Sequence, residues 1–174
     1  MTGLPKLTGS PIQISFKSQL SAHRGKLLAT EPYKGTPVYG ACFIKERRIV
    51  LESGLTNRPS LLRLIVVHEL FHFVWRRLGN RTREQFAELL AYEYEHRARG
   101  ELGESAAVKK ALLRRSDYES SSGSWRDYVC ESFCDTAAWH YSGITKDPTF
   151  TLAQSWRERR RAWIETNFAK GYNC

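Results

Sequence analysis

The sequence predicts an α+β fold, a small N-terminal β-sheet packed on a mainly helical domain. Three observations carry that prediction. Residues 11–18 and 37–52 read as strands. From residue 57 onward, segments of helical period follow one another, punctuated by Gly, Pro and Ser signals. One of these segments, Leu61 to Leu78 (LLRLIVVHELFHFVWRRL), is apolar on nearly every face and therefore belongs in the interior. At 174 residues the chain has the size of a single domain, 1–56 mainly strands and loops and 57–174 mainly helices.

In order, PIQISFKS (11–18) alternates apolar and polar residues, and Glu31 to Thr36 is rich in turn formers. Pro37 to Glu52 reads as one or two strands, with a tight turn around Glu46 and Arg47. Gly40 inside that run marks a bulge or a close backbone approach. The run is either ordinary sheet or an edge strand that pairs with an extended peptide. Ser53 to Ser60 is a loop in which Asn57 or Ser60 can cap the apolar helix and Pro59 suits its first position. That helix stops at Gly79-Asn80. Further helices are expected at Thr82 to about Arg99, Ser105 to Arg115, Trp125 to Tyr141 (opened by a capping-box-like Ser124-Trp-Arg-Asp127) and about Thr151 to Phe168. The serine-rich stretch 116–124 reads as a loop.

The apolar helix carries two histidines and a carboxylate at its centre, which are costly to bury without partners. His68 and His72 are four residues apart, so both imidazoles leave one side of the helix. His-Glu-x-x-His is a zinc-site pattern, two nitrogen ligands with Glu69 beside them. A catalytic zinc needs a third protein ligand. The metzincin pattern would place Gly and His at positions held by Trp75 and Leu78, and the SprT-type His-Gly is absent because His96 precedes Arg97 and His140 precedes Tyr141. Glutamates remain, Glu93 and Glu131. Glu131 opens Glu-Ser-Phe-Cys-Asp135 on a predicted helix, whereas Glu93 has Arg97 four residues on.

In these two motifs the chain resembles the gluzincin metallopeptidases, which join His-Glu-x-x-His on one helix to Glu-x-x-x-Asp on a later one. The resemblance spans about 40–142 and looks most like the minimal, single-domain members, which implies a zincin-like domain. It implies a Zn2+ cofactor held by His68, His72 and Glu131, with Asp135 orienting a ligand histidine. It also implies Glu69 as general base in hydrolysis of a peptide or protein substrate. No residue matches the thermolysin-like catalytic histidine; Tyr128, His140 and Tyr141 are candidate oxyanion partners. A rival set, His68 and His72 with Cys130 and Cys134, would make a closed structural zinc site. A third reading is an inactive metallopeptidase-like binding module.

No run is long and uncharged enough for a membrane span, and the start of the chain lacks a hydrophobic signal core, so a cytoplasmic protein is expected. Cys42, Cys130, Cys134 and Cys174 then read as thiols. The net charge of +9 invites nucleic acid as a partner, but residues 101–150 hold six basic against eight acidic side chains. The cluster Arg157 to Arg161 reads as a solvated helix face. The terminal Gly171-Tyr-Asn-Cys174 is a candidate latch over the metal, against the usual fate of such tails, disorder.

Overall fold

The computed structural model describes residues 4–30, 34–168 and 171–173. Strands β1 (Leu7–Thr8), β2 (Gln13–Lys17), β3 (Leu20–His23), β4 (Lys26–Ala29), β5 (Thr36–Pro37), β6 (Gly40–Phe43) and β7 (Arg48–Glu52) come first, followed by a 3-10 turn over Ser53–Asn57. Helices α1 (Pro59–Arg77), α2 (Asn80–Glu95), α3 (Glu104–Leu112), α4 (Arg115–Glu119), α5 (Gly123–Tyr141) and α6 (Gln154–Phe168) follow, then strand β8 (Tyr172–Asn173). The fold is α+β, a small sheet region against a helical body.

The expected strands at 11–18 and 37–52 fall in one sheet of order β2-β7-β6. β6 and β7 pair antiparallel through the turn at Glu46 and Arg47, where Arg47 takes φ 48. β2 runs parallel to β7, a pairing that strand alternation cannot announce. β7 is the buried strand (Ile49, Val50, Leu51), and β6 is left at an edge, lying against α1. A second sheet, β4-β3-β5, was not anticipated. Its β3–β4 hairpin turns on Arg24 (φ 48) and Gly25 (φ 74), two left-handed residues in the manner of a type I′ turn but without the Asn-Gly or Asp-Gly that advertises one.

α1 and α5 are the central pair of the helical body. Phe71 and Val74 of α1, Phe86 and Leu90 of α2, Phe133 and Ala137 of α5 and Ile164 of α6 are all fully buried in one core. Phe133 sits among aromatic rings, 5.8 Å from Phe71 and 5.5 Å from Phe86 between centroids.

Several boundaries differ from expectation. Pro59 does hold the first position of α1, but the cap is Arg58, which makes no side-chain cap bond, so neither Asn57 nor Ser60 plays that part. Gly79 does not close α1 in a left-handed turn; it is extended and immediately begins α2. The supposed loop 116–124 holds the short helix α4, steadied by the bond from the Arg114 amide to Asp117. α5 starts earlier than expected, capped by Ser122, whose Oγ accepts from the Trp125 amide. In the described part of the tail, β8 pairs in parallel with β1, Leu7 opposite Tyr172. Cys174 lies outside the described residues. Among the described residues no helix is long and apolar enough to cross a membrane.

Candidate metal centre

The middle of α1 faces the middle of α5. Four-residue spacing on α1 projects His68 and His72 together, and the same spacing on α5 projects Glu131 and Asp135 to meet them. His68 Nε2 lies 3.2 Å from His72 Nε2 and 3.3 Å from Glu131 Oε2, and His72 Nε2 lies 3.7 Å from the same oxygen. These three donor atoms form the edges of a nearly equilateral triangle. Ligands about 2.0–2.1 Å from a tetrahedral zinc would stand roughly 3.3–3.4 Å apart. The residues present therefore fit the ion.

The far nitrogens of both rings are engaged. His68 Nδ1 is 2.7 Å from Asp135 Oδ1, a bond that places the proton on Nδ1 and turns the bare Nε2 toward the triangle. His72 Nδ1 is 3.6 Å from Cys130 Sγ. Asp135 has a second duty: its Oδ2 accepts from the Ala106 amide at 2.8 Å, in the first turn of α3. A side chain at position 103 would place Cβ 2.2 Å from Asp135 Cγ, so glycine is what lets the backbone before α3 close on that carboxylate.

The electrostatics follow the geometry. Burial alone would lower the His68 pKa, but Asp135, with Glu131 and Glu69 behind it, raises it well above the usual value. Burial raises the Glu131 carboxyl, and the two histidines outweigh that and hold it below the usual range. The His68 shift registers the carboxylates gathered round that ring, and the Glu131 shift registers the two imidazoles beside its carboxylate.

Glu69 is 7 % exposed and faces the edge strand. A Cβ at Gly40 would stand 3.1 Å from its Oε1, the close backbone approach expected at that glycine. Cys42, on the same strand, brings its Sγ within 4.8 Å of the Glu69 carboxylate; burial and then that carboxylate push its thiol far up. A cleft of about 760 Å³ opens over His68, Glu69 and Glu131, walled by Gly40 and Tyr39 on one side and by Val108 of α3 on another.

The other sequence candidates lie elsewhere. Glu93 is buried, and both its oxygens are taken by Arg160 of α6 rather than by Arg97, the partner expected from spacing. Tyr128 donates to Glu101 at 2.6 Å, and Tyr141 stacks on Phe71. Neither these tyrosines nor His140 lines the cleft. The Cys2His2 set divides: Cys130 and Cys134 group with His72, while His68 groups with His72 and Glu131. Sequence spacing missed Cys42 and Gly103 at the site, because both arrive from separate elements. A scan of protein-family models and searches of curated proteins and solved structures find no match to the chain.

Proposed function

We propose that the chain is a zinc-dependent metallopeptidase. The observation that carries the reading is the triangle of His68 Nε2, His72 Nε2 and Glu131 Oε2, with edges of 3.2, 3.3 and 3.7 Å, beside a buried glutamate at the floor of a cleft. Zinc, when bound, supplies Lewis acidity and brings the pKa of a bound water to about 7.

The chain's own groups do the rest. His68, His72 and Glu131 would hold the ion, and Asp135 and Cys130 would fix the two imidazoles by their distal nitrogens. Glu69 takes a proton from the attacking water at its carboxylate and delivers it to the departing amine nitrogen as the C–N bond breaks. Cys42 and the Gly40 backbone confine that carboxylate from the strand side. β6 has a free edge beside the cleft, the position from which an extended peptide could add as a further strand.

The test joins a metal assay to one variant. Glu69→Gln should retain about one zinc per chain and hydrolyse an unstructured polypeptide at least about a thousandfold more slowly, since only proton transfer and water orientation are removed. Equal turnover in the two proteins would end the reading.

A further inference from the structure

His72 has two faces, and only one belongs to the centre described above. Its Nε2 turns toward His68 and Glu131. Its Nδ1 turns toward Cys130 Sγ at 3.6 Å, and the ligand atoms of His72, Cys130 and Cys134 all lie within 4.8 Å of one another. Cys130 and Cys134 are one helical turn apart on α5, neither is in a disulfide, and Cys134 is fully buried.

We propose that Cys130 Sγ, Cys134 Sγ and His72 Nδ1 form a second metal site, for a soft d10 cation of the Cu(I) class, sharing the His72 ring with the zinc centre. The inference rests on the zinc reading for the identity of the ion on the other face of that ring. Three observations support it. The donors are two sulfurs and one imidazole nitrogen, the set that favours Cu(I) over hard cations. At the bond lengths known for zinc, about 2.3 Å to sulfur and 2.0–2.1 Å to nitrogen, sulfur and nitrogen ligands stand roughly 3.6 Å apart at a tetrahedral angle and roughly 3.8 Å at a trigonal one, and Cys130 Sγ and His72 Nδ1 are 3.6 Å apart. The set is also distinct from the first: His68 and Glu131 take no part in it, and neither thiol takes part in theirs.

Binding is a proton exchange with no change of oxidation state. Each thiol releases its proton, and the ring releases the one on Nδ1, so the shared histidine bridges two ions as imidazolate. A Cu(I) ion on Nδ1 would replace the proton there and the hydrogen bond to Cys130. Because it withdraws less than a proton, it would leave the opposite nitrogen the stronger donor, an input to the zinc centre from the core side of the fold.

Zinc-loaded protein titrated anaerobically with Cu(I), against a chromophoric Cu(I) chelator, tests this. Wild type is expected to take one equivalent of Cu(I), to show sulfur scatterers by X-ray absorption at the copper edge, and to keep its zinc. Cys134→Ser and the double Cys130→Ser/Cys134→Ser variant are expected to lose copper binding at least about tenfold in affinity. Cys134→Ser, whose thiol does not touch the zinc ligands' distal nitrogens in the reading above, is expected still to carry one zinc. Failure of wild type to bind, or undiminished binding in the double serine variant, would overturn the second site. Zinc expelled in proportion to copper would also overturn it, because the two ions would then share one site. Protein that holds no zinc before any copper is added refutes the metallopeptidase reading instead, so the two failures are distinguishable.

Discussion

Helix α5 carries two buried polar clusters on different faces, and they solve the same problem in opposite ways. On one face Glu131 and Asp135 meet His68 and His72; on the other Ser132 and Thr136 meet Arg160, with Glu93 and Glu101 joining from α2 and the segment before α3. The second cluster contains its own cation. Arg160 is fully buried and its guanidinium reaches Glu93 at 2.6 Å and Glu101 at 2.8 Å, while Lys110 and Tyr128 complete Glu101. Two positive and two negative side chains balance there, and every donor has an acceptor. The first cluster has carboxylates and imidazoles and, among the described residues, no arginine or lysine hydrogen-bonded into it; it opens to a cleft that Lys109 also lines. A closed, neutral set is architecture. The open set is the one that the reading proposed above makes a binding site.

The comparison is most easily broken at Arg160. Arg160→Met takes from buried Glu93 its arginine partner and leaves Glu101 with Lys110 and Tyr128, and losing one partner of a buried ion pair typically costs about 3–5 kcal/mol. Urea unfolding should show a loss of that size or outright failure to fold, whereas Glu131→Ala should leave the unfolding midpoint of metal-free protein within about 1 kcal/mol of wild type while abolishing zinc binding. If Glu131→Ala unfolded the protein and Arg160→Met did not, the roles assigned to the two clusters would be exchanged. Glu93→Ala belongs with Arg160 on this reading and should affect stability, leaving intrinsic zinc affinity in the folded fraction near normal.

Acid sharpens the contrast. Burial raises the Glu101 carboxyl, but Arg160 outweighs it and, with Lys110 and Tyr128, brings the pKa from 4.5 down to about 2. A carboxylate depressed on folding stabilises above its unfolded pKa, and that contribution is lost as pH falls through the folded value. The window here runs from 4.5 to about 2, and such a shift corresponds to about 3 kcal/mol. Stability measured across that window should fall more steeply in wild type than in Glu101→Gln. Parallel slopes would show that Glu101 is not held ionised by the cluster.

Much of the first cluster was legible in the sequence and almost none of the second. His68, His72, Glu131 and Asp135 lie on two helices at four-residue spacing, and that local geometry puts each pair on one face whatever the rest of the chain does. Glu93 and Arg160 are 67 residues apart, and nothing in either helix announces the other. Local reasoning offered Glu93 the nearby Arg97 and gave Arg160 to a solvated face; the fold paired them and buried both. The same limit hid the β3–β4 hairpin, whose Arg-Gly turn is not a strong signal, and the parallel pairing of β2 with β7.

Asp135 tests how finely the first cluster is tuned. It accepts from His68 through one oxygen and from the Ala106 amide through the other. In Asp135→Asn the amide oxygen can still serve α3, which leaves an NH2 facing Nδ1 of His68. Donor then meets donor, so the ring moves its proton to Nε2, the atom needed by zinc. Zinc affinity should drop roughly 10- to 100-fold with little change in unfolding. An unchanged zinc affinity would show that the tautomer of His68 is set elsewhere.

The smallest effect is expected at Gly40, where the sheet touches the centre without contributing a ligand. Gly40→Ala would place Cβ 3.0 Å from Leu51 Cδ2, 3.1 Å from Glu69 Oε1 and 3.2 Å from Ile65 Cγ2. None of these is a clash that forbids folding, but each is tighter than ordinary van der Waals contact, so a neighbour must yield by a few tenths of an ångström. Leu51 is fully buried on β7, whereas Ile65 and Glu69 of α1 both border the cleft. Of those two, the carboxylate is the far end of the longer side chain, and it is the group expected to move. Misplacing a catalytic group by about 1 Å can cost a hundredfold in rate, so a fraction of that should lower kcat roughly tenfold. Zinc content should not change, because Glu69 is not in the ligand triangle. Loss of zinc in Gly40→Ala would make β6 part of the metal scaffold, and an unchanged kcat would mean that the strand does not position the base.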